Sequence, residues 1–184
     1  NKEQKQQLVP DKDLGSVVLF GKFNWVESPD QKPVGFYEEG YDVSSWGVIP
    51  VPGNWELNGY GVPVYINQQN EFPSNQPHAP KDYNPVGCYV HNFRIPQEWE
   101  GRNVYINFGA VKSAFYLWIN GQFVGYSEDS KTPAEFDITD YLKKGENKLA
   151  VEAYRFSDGS YLECQDYWRL SGITRDVILY SKPK

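Results

Sequence analysis

The chain has 184 residues, 40% of them apolar, a size and content that suit one domain with a substantial core. Acidic residues outnumber basic ones by 24 to 18, and the formal charge of −6 leaves no cationic surface to displace counterions from a phosphate backbone, so nucleic acid is not an expected partner. No run approaches the roughly 18 consecutive apolar residues of a membrane-spanning helix, so a soluble protein with no membrane partner is expected.

The first residues, Asn1 to Asp13, are polar and lack the apolar stretch of a signal peptide, which leaves the compartment open between cytoplasm and periplasm. We set residues 1–13 apart from residues 14–184, which read as one domain. A first strand is predicted at Val17 to Phe20, continuing through Lys22 to Val26, with turn residues from Glu27 to Pro33 and a weak patch at Tyr41 to Ile49. Two prolines and a glycine make Ile49 to Trp55 extended and irregular, a rigid connection. From Gly59 to Pro85 the chain is rich in Gly, Pro, Asn and Gln, broken only by Val62 to Ile66. A loop of that length in a compact domain binds something or packs on a neighbour.

Strand signals sharpen after Pro85. Cys88 to Ile95 and Asn103 to Phe108 alternate, the latter placing Val104, Ile106 and Phe108 on one face. Asn120-Gly121 separates Ala114–Ile119 from Gln122–Tyr126, the strongest short-range hairpin signal. Phe136 to Leu142 predicts a strand end and a helical turn, with Asp137 or Thr139 as cap, and Lys144 to Asn147 makes a turn. Lys148 to Tyr154 and Asp176 to Tyr180 supply further strands. Short strands at this spacing predict an all-β fold, an antiparallel β-sandwich of the jelly-roll type.

The 14 Tyr, 10 Phe and 6 Trp could stack on sugar rings, but most such rings belong to a core. Cys88 and Cys164 lie far apart with no C-x-x-C pair, and His78 and His91 lack metal-ligand spacing, so neither a zinc site nor a disulfide framework is indicated. Asp158, Glu163, Arg169 and Arg175 read as structural supports, the arginines pairing with nearby carboxylates.

The run Ile119-Asn-Gly-Gln-Phe-Val-Gly125, with Asp129-Ser130 and Pro133-Ala-Glu-Phe-Asp-Ile138, resembles the sugar-binding domain of family-two glycoside hydrolases. Val51-Pro-Gly-Asn-Trp55, Gly59-Tyr-Gly61, Tyr65-Ile-Asn67 and the run Phe156 to Trp168, followed by Ser171-Gly-Ile173 and Arg175-Asp-Val177, narrow the resemblance to the β-galactosidases. It covers roughly Leu14 to Pro183 and implies a galactose-binding-domain-like jelly roll joined in the whole enzyme to immunoglobulin-like domains and a barrel. A barrel needs about 250 residues, and the two catalytic carboxylates of the family lie on it, so the resemblance implies no catalytic residue in this chain. It implies that Asn67 and Asp166 contact a β-galactoside, with Asp166 also a sodium ligand. The resemblance further implies sodium and magnesium as cofactors of a full-length, homo-oligomeric enzyme, and none for this fragment alone. Cys164 stands where the family has an aspartate. The alternatives are an autonomous carbohydrate-binding module and a purely structural interaction domain.

Overall fold

The computed structural model describes residues 14–17, 20–66 and 71–184. In chain order the strands are β1 (Leu14–Val17), β2 (Phe20–Val26), β3 (Gly47–Pro50), β4 (Val64–Ile66), β5 (Val86–Arg94), β6 (Asn103–Phe108) and β7 (Val111–Lys112). They continue as β8 (Ala114–Ile119), β9 (Gln122–Glu128), β10 (Ala134–Asp137), β11 (Glu146–Tyr154), β12 (Tyr167–Arg169), β13 (Gly172–Ile173) and β14 (Val177–Lys182). The helical pieces among the described residues are short 3-10 turns, and no helix is long and apolar enough to cross a membrane.

A six-stranded sheet, β3-β2-β5-β11-β8-β9, faces a four-stranded sheet, β1-β14-β6-β10, and every pairing is antiparallel. The chain passes repeatedly between these layers, giving the predicted jelly-roll sandwich. Alternation drives the packing: Val104, Ile106 and Phe108 of β6 and Val177 and Leu179 of β14 point inward against Leu117, Leu149 and Val151 of the larger sheet. Asn120 and Gly121 have φ of 51° and 80°, and Ile119 pairs with Gln122, so the predicted hairpin joins β8 to β9.

The central strands β5 and β11 are buried on both faces. The outer face is covered by Phe36, which packs with Val86, Cys88, Val90 and Ala150 and is ringed by Tyr37, Trp46 and Trp118. Lys148 holds this cover in place by donating from Nζ to the carbonyls of Phe36 and Glu38.

Three local expectations differ in detail. Val17 ends β1 in the four-stranded sheet and Phe20 begins β2 in the six-stranded one, so Val17 to Phe20 is no single strand; Val18 and Leu19 lie outside the described residues, as does the polar segment 1–13. The patch at Tyr41 to Ile49 is strand only from Gly47, because Tyr41, Val43 and Trp46 pack on the outer face instead. Ile49 and Pro50 join the edge strand β3, where a proline costs no ladder bond, and the irregular path begins after them.

Candidate functional site

The ribbon β4–β12 stands apart from both large sheets and carries the candidate site. Tyr65 pairs with Trp168, and Ile66 with Tyr167, the neighbour of Asp166. Before β12, Ser157 N–H donates to Ser160 Oγ at 3.0 Å and Ser160 N–H to Ser157 O at 3.2 Å, so Asp158-Gly159 opens the short 3-10 turn Asp158–Tyr161. The backbone then folds tightly, with Gln165 N–H donating to Glu163 O at 3.1 Å and Tyr167 N–H to Gln165 O at 3.0 Å.

Asp166 is exposed at the ribbon's end, and the Tyr65 hydroxyl donates to its Oδ1 at 2.6 Å. That bond, with the negative charge behind it, raises the Tyr65 phenol above its ordinary value and keeps it a donor. The rings of Tyr65 and Trp168 lie 5.5 Å apart at 58° and are 53% and 57% exposed. An exposed carboxylate bonded to the first of these two exposed rings offers acceptors to hydroxyl groups, and the rings offer apolar faces to C–H groups. Asn67 lies outside the described residues.

Beneath the ribbon is a buried ionic network that the sequence reading missed. Arg155, just beyond β11, reaches Glu71 Oε2 through Nε at 3.3 Å and a terminal nitrogen at 2.9 Å, and pairs with Glu56 Oε1 at 3.3 Å. Its two terminal nitrogens also donate to the carbonyl of Val62 at 3.4 Å, two residues before β4. Glu71 Oε1 accepts from Lys112 at 3.0 Å and lies 3.9 Å from Nε of Arg169, which is part of β12. Glu56 Oε2 accepts the N–H of Ser171 at 2.8 Å. All five side chains are at most 8% exposed, so each charge needs its partners; removing one from such a network costs about 3–5 kcal/mol. Burial lowers the Lys112 ammonium, against the attraction of Glu71.

Of the predicted supports, Arg169 does pair with a carboxylate, Glu71, and also donates to Glu163 O at 3.0 Å, while its guanidinium lies over the Tyr167 ring. Arg175 instead donates to a backbone carbonyl, that of Lys131, at 3.1 Å. Glu163 accepts the N–H of Ser130 at 2.7 Å, joining its loop to the segment after β9. Cys88 is buried in β5, and Cys164 lies 3.5 Å from a terminal nitrogen of Arg169. Glu56 and Glu71 sit in polar loops and give no local signal; Lys112 and Arg155, set among strand residues, were the detectable clue, since a charge on a buried face requires a partner.

A second concavity, about 320 Å³, lies outside the six-stranded sheet, lined in part by Lys32, Tyr37, Tyr116, Trp118, Glu152 and Tyr154. Its polar groups satisfy one another: Lys32 donates to Glu152 at 2.7 Å and to the Tyr154 hydroxyl at 2.9 Å, and that hydroxyl donates to Glu152 at 2.5 Å. The exposed groups at the β4–β12 ribbon make it the better candidate.

Residues 19–183 match the family model described as glycosyl hydrolases family 2, sugar binding domain. A β-galactosidase of Priestia megaterium is 52% identical over 166 residues, 88% of this chain and 16% of that protein. One from Clostridium acetobutylicum is 48% identical over 167 residues, 89% of this chain and 19% of its own length. The chain thus spans less than a fifth of these relatives. Among solved structures, a β-glycosidase from Bacteroides vulgatus superimposes with a TM-score of 0.61 at 26% identity, covering 91% of this chain and 20% of its own. A Bacteroides uniformis β-glucuronidase gives 0.68 at 21% identity over 91% of this chain and 18% of its own, a likeness of fold.

Proposed function

The chain belongs to the sugar-binding domains of glycosyl hydrolase family 2, and from that premise we propose that it forms one wall of a β-galactosidase active site whose catalytic groups lie outside it. The observation that carries this reading is the exposed Tyr65, Asp166 and Trp168 cluster, aligned on one ribbon and held from behind by buried charge.

Retaining glycoside hydrolysis uses two carboxyl groups about 5.5 Å apart, one a nucleophile and one an acid and base. On this reading both lie on a barrel of the full-length protein, and this chain contributes orientation. Asp166 accepts hydrogen bonds from galactose hydroxyls while Tyr65 fixes the carboxylate's rotation. The rings of Tyr65 and Trp168 exclude water beside the sugar. Asn67 enters through the motif Tyr65-Ile-Asn67, its carboxamide able both to donate to and to accept from hydroxyls.

An exposed carboxylate suits a sodium ion as one oxygen ligand among several. Among the described residues no group of three or more His, Cys, Asp or Glu side chains is placed to hold a metal ion. Bound sodium would supply positive charge for a sugar hydroxyl to meet. Asp166 would share its oxygens between that ion, the sugar and Tyr65.

The test is Asp166→Ala in the full-length protein. Loss of a charged hydrogen bond to substrate lowers kcat/KM for a β-galactoside about 10- to 100-fold. The thermal midpoint stays unchanged, since the side chain is exposed. Unaltered kcat/KM would instead favour a purely structural interaction domain.

A further inference from the structure

We propose that Glu71, clamped between Arg155 and Arg169, is a positioning residue that sets where the β4–β12 ribbon holds Asp166; the inference rests on Asp166 contacting substrate. Among the described residues the ribbon has its own two-stranded ladder and no strand pairing to either large sheet, so its placement depends on what ties it down. Arg155 leaves the end of β11 as a fixed post, its own N–H bonded to Pro85 O at 2.9 Å. From there its guanidinium grips the carbonyl of Val62 at the entry to β4 and the carboxylate of Glu71. Glu71 passes the connection to Arg169 at the far end of β12. Both strands of the ribbon are therefore referred to one guanidinium at the end of the central strand β11.

The chemistry suits fixed distance. A guanidinium presents its N–H groups in a rigid fork, and Arg155 uses it on two partners at once, Glu71 and Val62, while pairing in charge with Glu56 at 3.3 Å. Glu71 spends one oxygen on Arg155 and the other on Lys112 and Arg169, so neither can turn without breaking a pair. Arg169 is further held by Glu163 O on the loop leading to Asp166. Nothing in the network reaches solvent enough to touch a sugar directly, with side-chain exposure of 3% for both arginines and 8% for Glu71. Its influence on substrate must pass through the ribbon's geometry.

The experiment is a double-mutant cycle in the full-length protein, reading kcat and KM for a β-galactoside in wild type, Glu71→Gln, Asp166→Ala and the double variant. Glu71→Gln keeps the shape and removes the charge. Misplacing a contact by about 1 Å costs up to 100-fold, so Glu71→Gln alone is expected to lower kcat/KM about 10- to 100-fold, chiefly through KM. In the Asp166→Ala background the same change is expected to cost less than about twofold, since there is no contact left to misplace. An equal effect in both backgrounds, or none in either, overturns the positioning role while leaving Asp166 as a contact. If Asp166→Ala by itself changes nothing, the contact reading fails and the positioning role with it. Should Glu71→Gln not fold, Arg169→Lys keeps the charge, loses the fork and enters the same cycle with the same expected outcomes.

Discussion

Gly87 shows how tightly single positions are constrained. A Cβ there would stand 2.4 Å from Trp55 Cζ2 and 2.8 Å from Phe23 Cε2, both buried ring atoms with no room to retreat. Gly87→Ala is expected to destabilise by about 1–3 kcal/mol, seen as a lower urea midpoint with an unchanged slope. Its neighbour Cys88 sets a pH dependence. Burial, and secondarily the charge of Glu152, push its thiol well above the ordinary value of 9.0, so the folded state keeps the proton that the unfolded chain loses. Its contribution is complete below about pH 9 and declines as pH rises, by up to about 1.4 kcal/mol per pH unit. Cys88→Ala should flatten the fall in stability between pH 9 and 11, measured by urea unfolding at several pH values. An equally steep fall in that variant would assign the alkaline limb to other groups, Tyr89 foremost, whose buried phenol is likewise raised.

At the scale of the element, the β8–β9 hairpin is fixed by one side chain as well as by turn geometry. Asn120 donates to Tyr141 O at 2.9 Å and to Asn147 Oδ1 at 2.8 Å, and accepts the N–H of Lys148 at 2.9 Å, while its own φ is 51°. Asn120→Gly keeps the backbone preference and loses the bonds, about 1–2 kcal/mol. Asn120→Ala adds roughly 1–2 kcal/mol of left-handed strain, so thermal midpoints should fall in the order wild type, Gly, Ala. The hairpin was legible in the sequence because Asn-Gly carries its conformation locally. β5, β6, β8 and β11 were legible for a similar reason, each being a run of alternating or continuous apolar residues. The cover over the outer face was not, because Phe36, Tyr41 and Trp46 sit in a segment with no period and gain their role only from the sheet beneath. The candidate site divides the same way. Asp166 stood out through the order of its neighbours, whereas Glu56 and Glu71 are brought to Arg155 from 99 and 84 positions away and leave no local trace.

At the scale of the whole molecule, the chain corresponds to less than a fifth of its β-galactosidase relatives, and its exposed contacts are few. Alone it should not hydrolyse a nitrophenyl galactoside, and calorimetric titration with galactose should give no measurable heat of binding. A handful of polar contacts cannot offset the entropy lost on immobilising a small sugar. Micromolar binding by the isolated chain would favour an autonomous carbohydrate-binding module. The order of the smaller sheet carries a different consequence. β14 lies between β1 and β6, so the earliest and the latest strands of the described fold are neighbours. A ribosome delivers residues at about 5–20 per second, N-terminus first. β1 therefore waits for β14, more than 150 residues later, before its partner exists, while the strands of the larger sheet, complete at Tyr154, can already associate. During that interval the nascent fold presents an open apolar layer, and β14, the latest of the described strands, is the one that closes it.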